Sequence, residues 1–177
     1  MPTIRPAQPR DLPAITEIYN EAGVGTTASY ALEPVTLEDR RAWFQRLTGS
    51  DHPVLVLEDD DQVIGFASYS QFRPLAGYAH TKEHSVYIRS GRRAAGGGRM
   101  LMLALLDYAR GRGVHVMVGV VDGANEESLA FHRALGFVES GRLPEVGRKF
   151  DRWLDVVFMT QVLGAPGTDR AVALGSH

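Results

Sequence analysis

The ten residues Arg92–Leu101 read RRAAGGGRML, and their three glycines decide how the surrounding chain folds. Glycine loses more conformational freedom on ordering than any other residue. A run of three therefore marks either a slack linker or a bend that needs bare backbone. The flanks choose between the two. EHSVYI (Glu83–Ile88) reads as a strand. On the other side, Gly98–Arg112 sets Leu101, Ala104, Leu105 and Tyr108 on one helical face, and Leu103 and Leu106 widen it. Linkers do not usually separate a core strand from a core helix. A glycine turn between them presents main-chain N–H groups at a helix start, which favours anions and phosphates above all. Arg93 and Arg99 add positive charge.

Known nucleotide loops narrow the reading. The string G-x-x-x-x-G-K-[ST] of a Walker loop occurs nowhere in the chain. Gly96 and Gly98 fit the start of G-x-G-x-x-G, but Leu101 fills its third position. Three strands also precede the bend, whereas a dinucleotide fold places its loop after the first. What remains is Arg93-x-x-Gly96-x-Gly98, which on its own stands level with a helix start that binds nothing.

Working outward, Thr3–Pro6 suits a short strand. Asp11–Ala22 has Leu12, Ile15, Ile18 and Tyr19 at helical spacing, with Gly23 as its stop. GVGTTASYALEP is irregular, and a second helix is expected from Thr36, as N-cap, to Leu47. Pro53–Leu57 and Gln62–Phe72 read as strands. The Asp59–Asp61 triplet between them reads as a solvated hairpin tip rather than a metal site. Val114–Val121 is β-branched with two apolar faces, which points to mid-sheet. A helix over Asn125–Leu135, closed by Gly136, and strands over Phe137–Gly141 and Trp153–Leu163 complete the order. The pattern is mixed α/β around one central sheet, a single domain over residues 1–163, with 164–177 a loose tail.

Composition bounds the chemistry. The 177 residues are 44% hydrophobic and 23% charged, as in one globular domain. A net charge of −2 with scattered basic residues gives no footprint for nucleic acid. No apolar run approaches the roughly 18 residues of a membrane span, and the N-terminal segment does not read as a signal peptide. A soluble cytoplasmic protein is expected. The absence of cysteine excludes disulfides, thiolate zinc sites and a cysteine nucleophile, so acyl transfer here would not pass through a thioester on the protein.

Several strings carry a resemblance: YNEA (Tyr19–Ala22), FRPLAGY (Phe72–Tyr78), EHSVYI, GVHVMVGVV (Gly113–Val121), HRALGF (His132–Phe137) and PEVGRKFDRWLDVVFM (Pro144–Met159). With the element order and the Arg93-x-x-Gly96-x-Gly98 loop, the chain resembles the GNAT N-acetyltransferases, specifically the phosphinothricin and methionine-sulfoximine acetyltransferase branch. The resemblance implies a GNAT fold, with a mixed, mostly antiparallel sheet flanked by helices. It also implies acetyl-CoA as co-substrate, a small amino acid such as methionine sulfoximine, methionine sulfone or phosphinothricin as acceptor, and a homodimer. The family loop commonly reads R-G-x-G-x-G. Here Ala94 and Ala95 replace its first positions and Gly97 adds slack.

Carried onto this chain, the resemblance places the pyrophosphate on Arg93, Ala94, Ala95, Gly96, Gly97, Gly98 and Arg99. The pantetheine arm pairs with the backbone edge of Val86, Tyr87 and Ile88, with Asn125 and Ser128 beside it. An α-ammonium with a pKa near ~8 must lose its proton before attack, so a base is expected. Glu83 is the candidate, directly or through water, against a plain ion-pairing role. His132 stands where many relatives carry a tyrosine acid for the leaving thiolate, against a structural hydrogen bond. Arg73 is expected to grip a carboxylate or sulfone-type oxygens, with Pro74, Leu75, His84 and Ser85 around it. Lys149, Phe150 and Trp153 lie in a segment that completes the pocket on one reading. A peptide N-terminus or polyamine acceptor, and a non-catalytic acyl-CoA-binding module, are the alternatives.

Overall fold

In the computed structural model the described residues are 1–92 and 96–164. Arg93, Ala94, Ala95 and most of the expected tail fall outside them. The elements run β1 (Thr3–Pro6), α1 (Leu12–Ile18), α2 (Leu37–Gly49), β2 (Val54–Asp59), β3 (Gln62–Gln71), β4 (Thr81–Ile88), α3 (Gly97–Gly111), β5 (Val116–Asp122), α4 (Glu126–Ala134), β6 (Val138–Lys149) and β7 (Arg152–Val162). One seven-stranded sheet has the order β1-β2-β3-β4-β5-β7-β6. Among the described residues only the β4–β5 pair is parallel.

Both faces of the sheet are covered, and β2 shows why its sequence is continuously apolar. Leu55 and Leu57 point into one core with Leu101, Leu105 and Met117, whereas Val54 and Val56 point into the other with Ile15, Ile18 and Phe66. Helices α3 and α4 cover the first face, and α1 and α2 the second. Each fully buried leucine contributes about 2 kcal/mol. Helix α2 starts on a reciprocal cap: Asp39 N–H donates to Thr36 Oγ1 (3.1 Å), and Thr36 N–H donates to Asp39 Oδ2 (2.9 Å).

Three local outcomes differ from the sequence reading. The first helix does not run unbroken to Ala22. Its last turn, Tyr19–Val24, widens to π geometry, and Gly25 N–H reaches back to Asn20 O at 2.9 Å. Strand β6 runs to Lys149 rather than ending at Gly141. It is an edge strand, which tolerates Pro144, and its register shifts absorb the irregular stretch around Glu145, a residue at φ 55°. The β6–β7 hairpin closes on Phe150 and Asp151, both at positive φ (50° and 56°). The glycine bend also gains a partition of labour. Gly96 caps α3 at φ 75°, a conformation that favours glycine. Gly97 is not slack: a Cβ there would lie 2.5 Å from Leu57 Cδ2, so the missing side chain seats α3 on β2.

Candidate active site

Strands β4 and β5 begin side by side and then part. Thr81, Lys82 and Glu83 pair with Val116, Met117 and Val118, and no pair follows among the described residues, although β4 continues to Ile88 and β5 to Asp122. Phe72 N–H donates to Thr81 O and Arg89 N–H donates to Ile64 O, so the odd-numbered residues of β4 bond to β3. His80 O accepts from β5 on the other side. By alternation, the N–H and C=O groups of His84, Val86 and Ile88 face the opening. This corrects the expected edge at one residue, since Tyr87 spends its backbone on β3 and offers its side chain instead.

Two cavities meet at this opening. One, of about 280 Å³, lies beside the start of α3, between Val86, Ile88, Gly96, Gly98, Asn125 and Phe131. The other, of about 690 Å³, lies on the α1–α2 face between Tyr19, Arg40, Trp43, Glu83, Ser85 and Tyr87. A narrow space bounded by Ser85, Val86, Val120, Asn125 and His132 lies between them. The wall formed by residues 24–30, which the sequence left irregular, is pinned from β5, β6 and β7. Lys149 Nζ donates to Val24 O, Thr26 O and Ser29 O at 2.6, 2.6 and 2.7 Å. Thr27 Oγ1 donates to Asp122 (2.6 Å), and Tyr30 Oη donates to Asp155 O (2.6 Å). Lys149 is thus a buried brace rather than a ligand contact, whereas Phe150 and Trp153 are exposed.

Glu83 is half-buried in the larger cavity. Burial raises its carboxyl above the ordinary range, and the charge of Arg73 partly opposes that rise. Ser85 and Tyr87 share its face of β4, with Tyr87 set edge-on to Tyr19 (5.3 Å). His84 points the other way. Its Nε2 lies 3.1 Å from Nε2 of His132, the rings stacked at 5.1 Å. His132 Nδ1 lies 2.7 Å from Ser128 O, which can only accept, so Nδ1 carries the proton. Burial holds both rings neutral, and it pushes His84 down to about 3. His132 Nε2 is then an acceptor, His84 Nε2–H is its donor, and His84 Nδ1 is left buried without a partner among the described residues. In this geometry His132 has no N–H to offer the cleft, and His84, which lines both the larger cavity and the narrow space, turns its Nε2 toward His132. Gly119 makes the pair possible, because a Cβ there would sit 2.8 Å from both Nε2 atoms.

The remaining expected residues divide. Asn125 Oδ1 caps α4 by accepting from Ser128 N–H (3.0 Å), and both residues line the smaller cavity with Gly96, Gly98 and Arg99. Arg73, Pro74 and Leu75 are exposed on the loop after β3, and Arg73 donates to Phe72 O (2.8 Å). Arg40 is the residue the sequence reading missed. A charged side chain in a capped helix reads as solvated, yet only 5% of it is exposed.

The geometry has close parallels. Over residues 12–137 the chain matches the model of the acetyltransferase (GNAT) family. A Pseudomonas aeruginosa protein named L-methionine sulfoximine/L-methionine sulfone acetyltransferase is 46% identical over 158 residues, covering 89% of this chain and 92% of that one. The phosphinothricin N-acetyltransferase of Alcaligenes faecalis is 38% identical, covering 94% and 85%. A structure from Salmonella typhimurium, described as an acetyltransferase with its cofactor acetyl-CoA, superposes with a TM-score of 0.89 at 40% identity, covering 94% of this chain and 98% of that one. The parted strands, the glycine-started helix and this likeness over most of the chain agree: the protein belongs to the GNAT acetyltransferase family and is an N-acetyltransferase.

Proposed function

We propose that the protein transfers the acetyl group of acetyl-CoA to the α-amine of a small amino acid of the methionine sulfoximine, methionine sulfone or phosphinothricin type. One observation carries the reading: the passage between β4 and β5 joins a cavity at a glycine-capped helix to a cavity holding a half-buried carboxylate. The residues fit the co-substrate. The start of α3 offers N–H groups to a pyrophosphate, joined on this reading by Arg93, Ala94 and Ala95, and the edge of Val86 and Ile88 offers a peptide-like ladder to the amides of the arm. When bound, acetyl-CoA supplies the acyl group as a reactive thioester.

Glu83, acting directly or through one water, takes the proton of the acceptor ammonium. The free Val86 N–H faces the gap, where negative charge develops on the carbonyl oxygen, and donates to it. The attacking nitrogen must shed a second proton as the amide forms. Its delivery to the departing sulfur balances the reaction without a standing acid. His132 then serves through position, holding His84 beneath the binding strand. Arg73 favours the ionised form of Glu83 from the adjoining loop. The same reading makes the enzyme a cytoplasmic homodimer, and the exposed Val146, Phe150 and Trp153 of the β6–β7 hairpin support pairing with a second copy.

The test is free-thiol release from acetyl-CoA with methionine sulfone, phosphinothricin, a peptide and spermidine as acceptors. Release with the amino acids alone is expected. Release with the peptide or spermidine alone would replace the acceptor class, and coenzyme binding without release to any amine would favour a binding module.

A further inference from the structure

Arg40 is a cation in a site that leaves it unanswered. It sits in the first turns of α2 with 5% of its surface exposed, and it lines the larger cavity. Its guanidinium carbon lies 4.3 Å from the centroid of the Tyr19 ring and 4.5 Å from that of Trp43. These rings hold the plane of the group but accept none of its five N–H bonds in ordinary geometry. Among the described residues the guanidinium makes no hydrogen bond and no ion pair, and its Nε is buried without a partner. The adjacent carboxylate, Asp39, is committed to the N–H and Oγ1 of Thr36. The cavity wall holds two further acidic residues: Asp122 accepts from Thr27 and from Ala124 N–H, and Glu83, on β4, forms no ion pair with Arg40. A buried charge without a counter-ion is costly, and proteins seldom keep one unless something pairs with it.

Its place in the cavity identifies the partner. Arg40 lies 6.0 Å from the ring of Phe66, which pairs with Tyr87, whereas Glu83 pairs with Ser70. Four residues of β4 separate the two rows, roughly 13 Å at ~3.3 Å per residue. The base and the guanidinium therefore stand at opposite ends of the cavity, with Ser85 and the opening between them. Arg73, exposed and turned onto Phe72 O, lies at the Glu83 end.

We infer that Arg40 is the anion-recognising residue of the acceptor cavity, its planar fork receiving an oxygen-bearing group of the amino acid whose nitrogen is attacked. This rests on the amino-acid acceptor reading above. Either the α-carboxylate or a side-chain sulfonyl or phosphinyl group supplies the required chemistry, a pair of oxygen acceptors in one plane.

The experiment is steady-state kinetics of the full chain with L-methionine sulfone, its carboxamide and L-norleucine, comparing wild type with R40M and R40K. R40M is expected to raise KM for the sulfone by about 10- to 100-fold, the loss of a charge-assisted hydrogen bond, while KM for acetyl-CoA stays within about twofold. Wild type is expected to prefer the acid over the amide if Arg40 holds the carboxylate, or the sulfone over norleucine if it holds the side-chain oxygens. R40M is expected to lose that preference. If R40M does not fold, R40K decides, because a lysine keeps the charge but loses the fork: a KM raised severalfold supports the inference and an unchanged one overturns it. Wild type acting on the sulfone while R40M keeps its KM overturns the assignment of Arg40 alone. Wild type acting on none of the three overturns the amino-acid reading and this inference with it.

Discussion

Glu83 illustrates what one side chain owes to its place. At the surface a glutamate is a weak base that is ionised throughout the neutral range. Half-buried at the last position where β4 pairs with β5, its ionised form is less favoured and its affinity for a proton rises. A base works only when ionised, so activity must fall as pH drops through this raised value, above the ordinary carboxylate range. Glu83→Gln is expected to lower kcat about 100-fold with little change in KM for acetyl-CoA, and to abolish the acidic limb of kcat/KM for the acceptor. A variant that retains the limb would remove Glu83 from the role. The position of this residue was readable in EHSVYI. The burial of Arg40 was not, because it depends on three aromatic rings, Tyr19, Trp43 and Phe66, that come from separate elements.

Among the elements, β4 and β5 hold the mechanism, and their parting has a visible support. The His84–His132 pair fills the space beneath the opening, and glycine at position 119 of β5 admits it. Gly119→Ala is expected to force the rings apart and destabilise the fold by about 1–3 kcal/mol, read from the shift in urea midpoint. An unshifted midpoint would mean that the two rings do not depend on the gap left by Gly119. Element order and most strand positions were legible from hydrophobic period and turn residues. The long β6 was not, because Pro144 and Gly147 read as loop signals and only an edge position makes them tolerable in a strand. The hairpin turn at Phe150 and Asp151 carries no Asn-Gly signature, so nothing local announced it.

At the scale of the whole molecule, two cores on a single sheet give the site a rigid floor, while the buried groups set the range of pH in which the fold lasts. His84 and His132 are neutral in the native state, with values below the ~6.5 of an unfolded histidine. Below that value the unfolded chain binds protons that the native rings refuse. Stability is therefore full above pH ~6.5 and declines toward about 3, the value of His84. Asp11, held below its ordinary range by Arg5, adds to the loss at the acid end. Glu83 acts in the opposite sense, as one half-buried carboxyl against two buried rings. The urea midpoint is expected to fall steadily from pH 7 to pH 4.5, and a flat profile would mean that the imidazoles are not buried as a neutral pair. The sequence showed the charges but not this pairing, since residues 84 and 132 meet only when β4 and α4 pack together. The central claim, that the parted edge of β4 is the coenzyme's docking strand, is tested most directly by residue-resolved amide hydrogen exchange with and without acetyl-CoA. The expected result is new protection at Val86 and Ile88, whose N–H groups face the opening, with Tyr87 already protected by β3. Saturating acetyl-CoA that leaves Val86 and Ile88 exchanging at their free rates would contradict it.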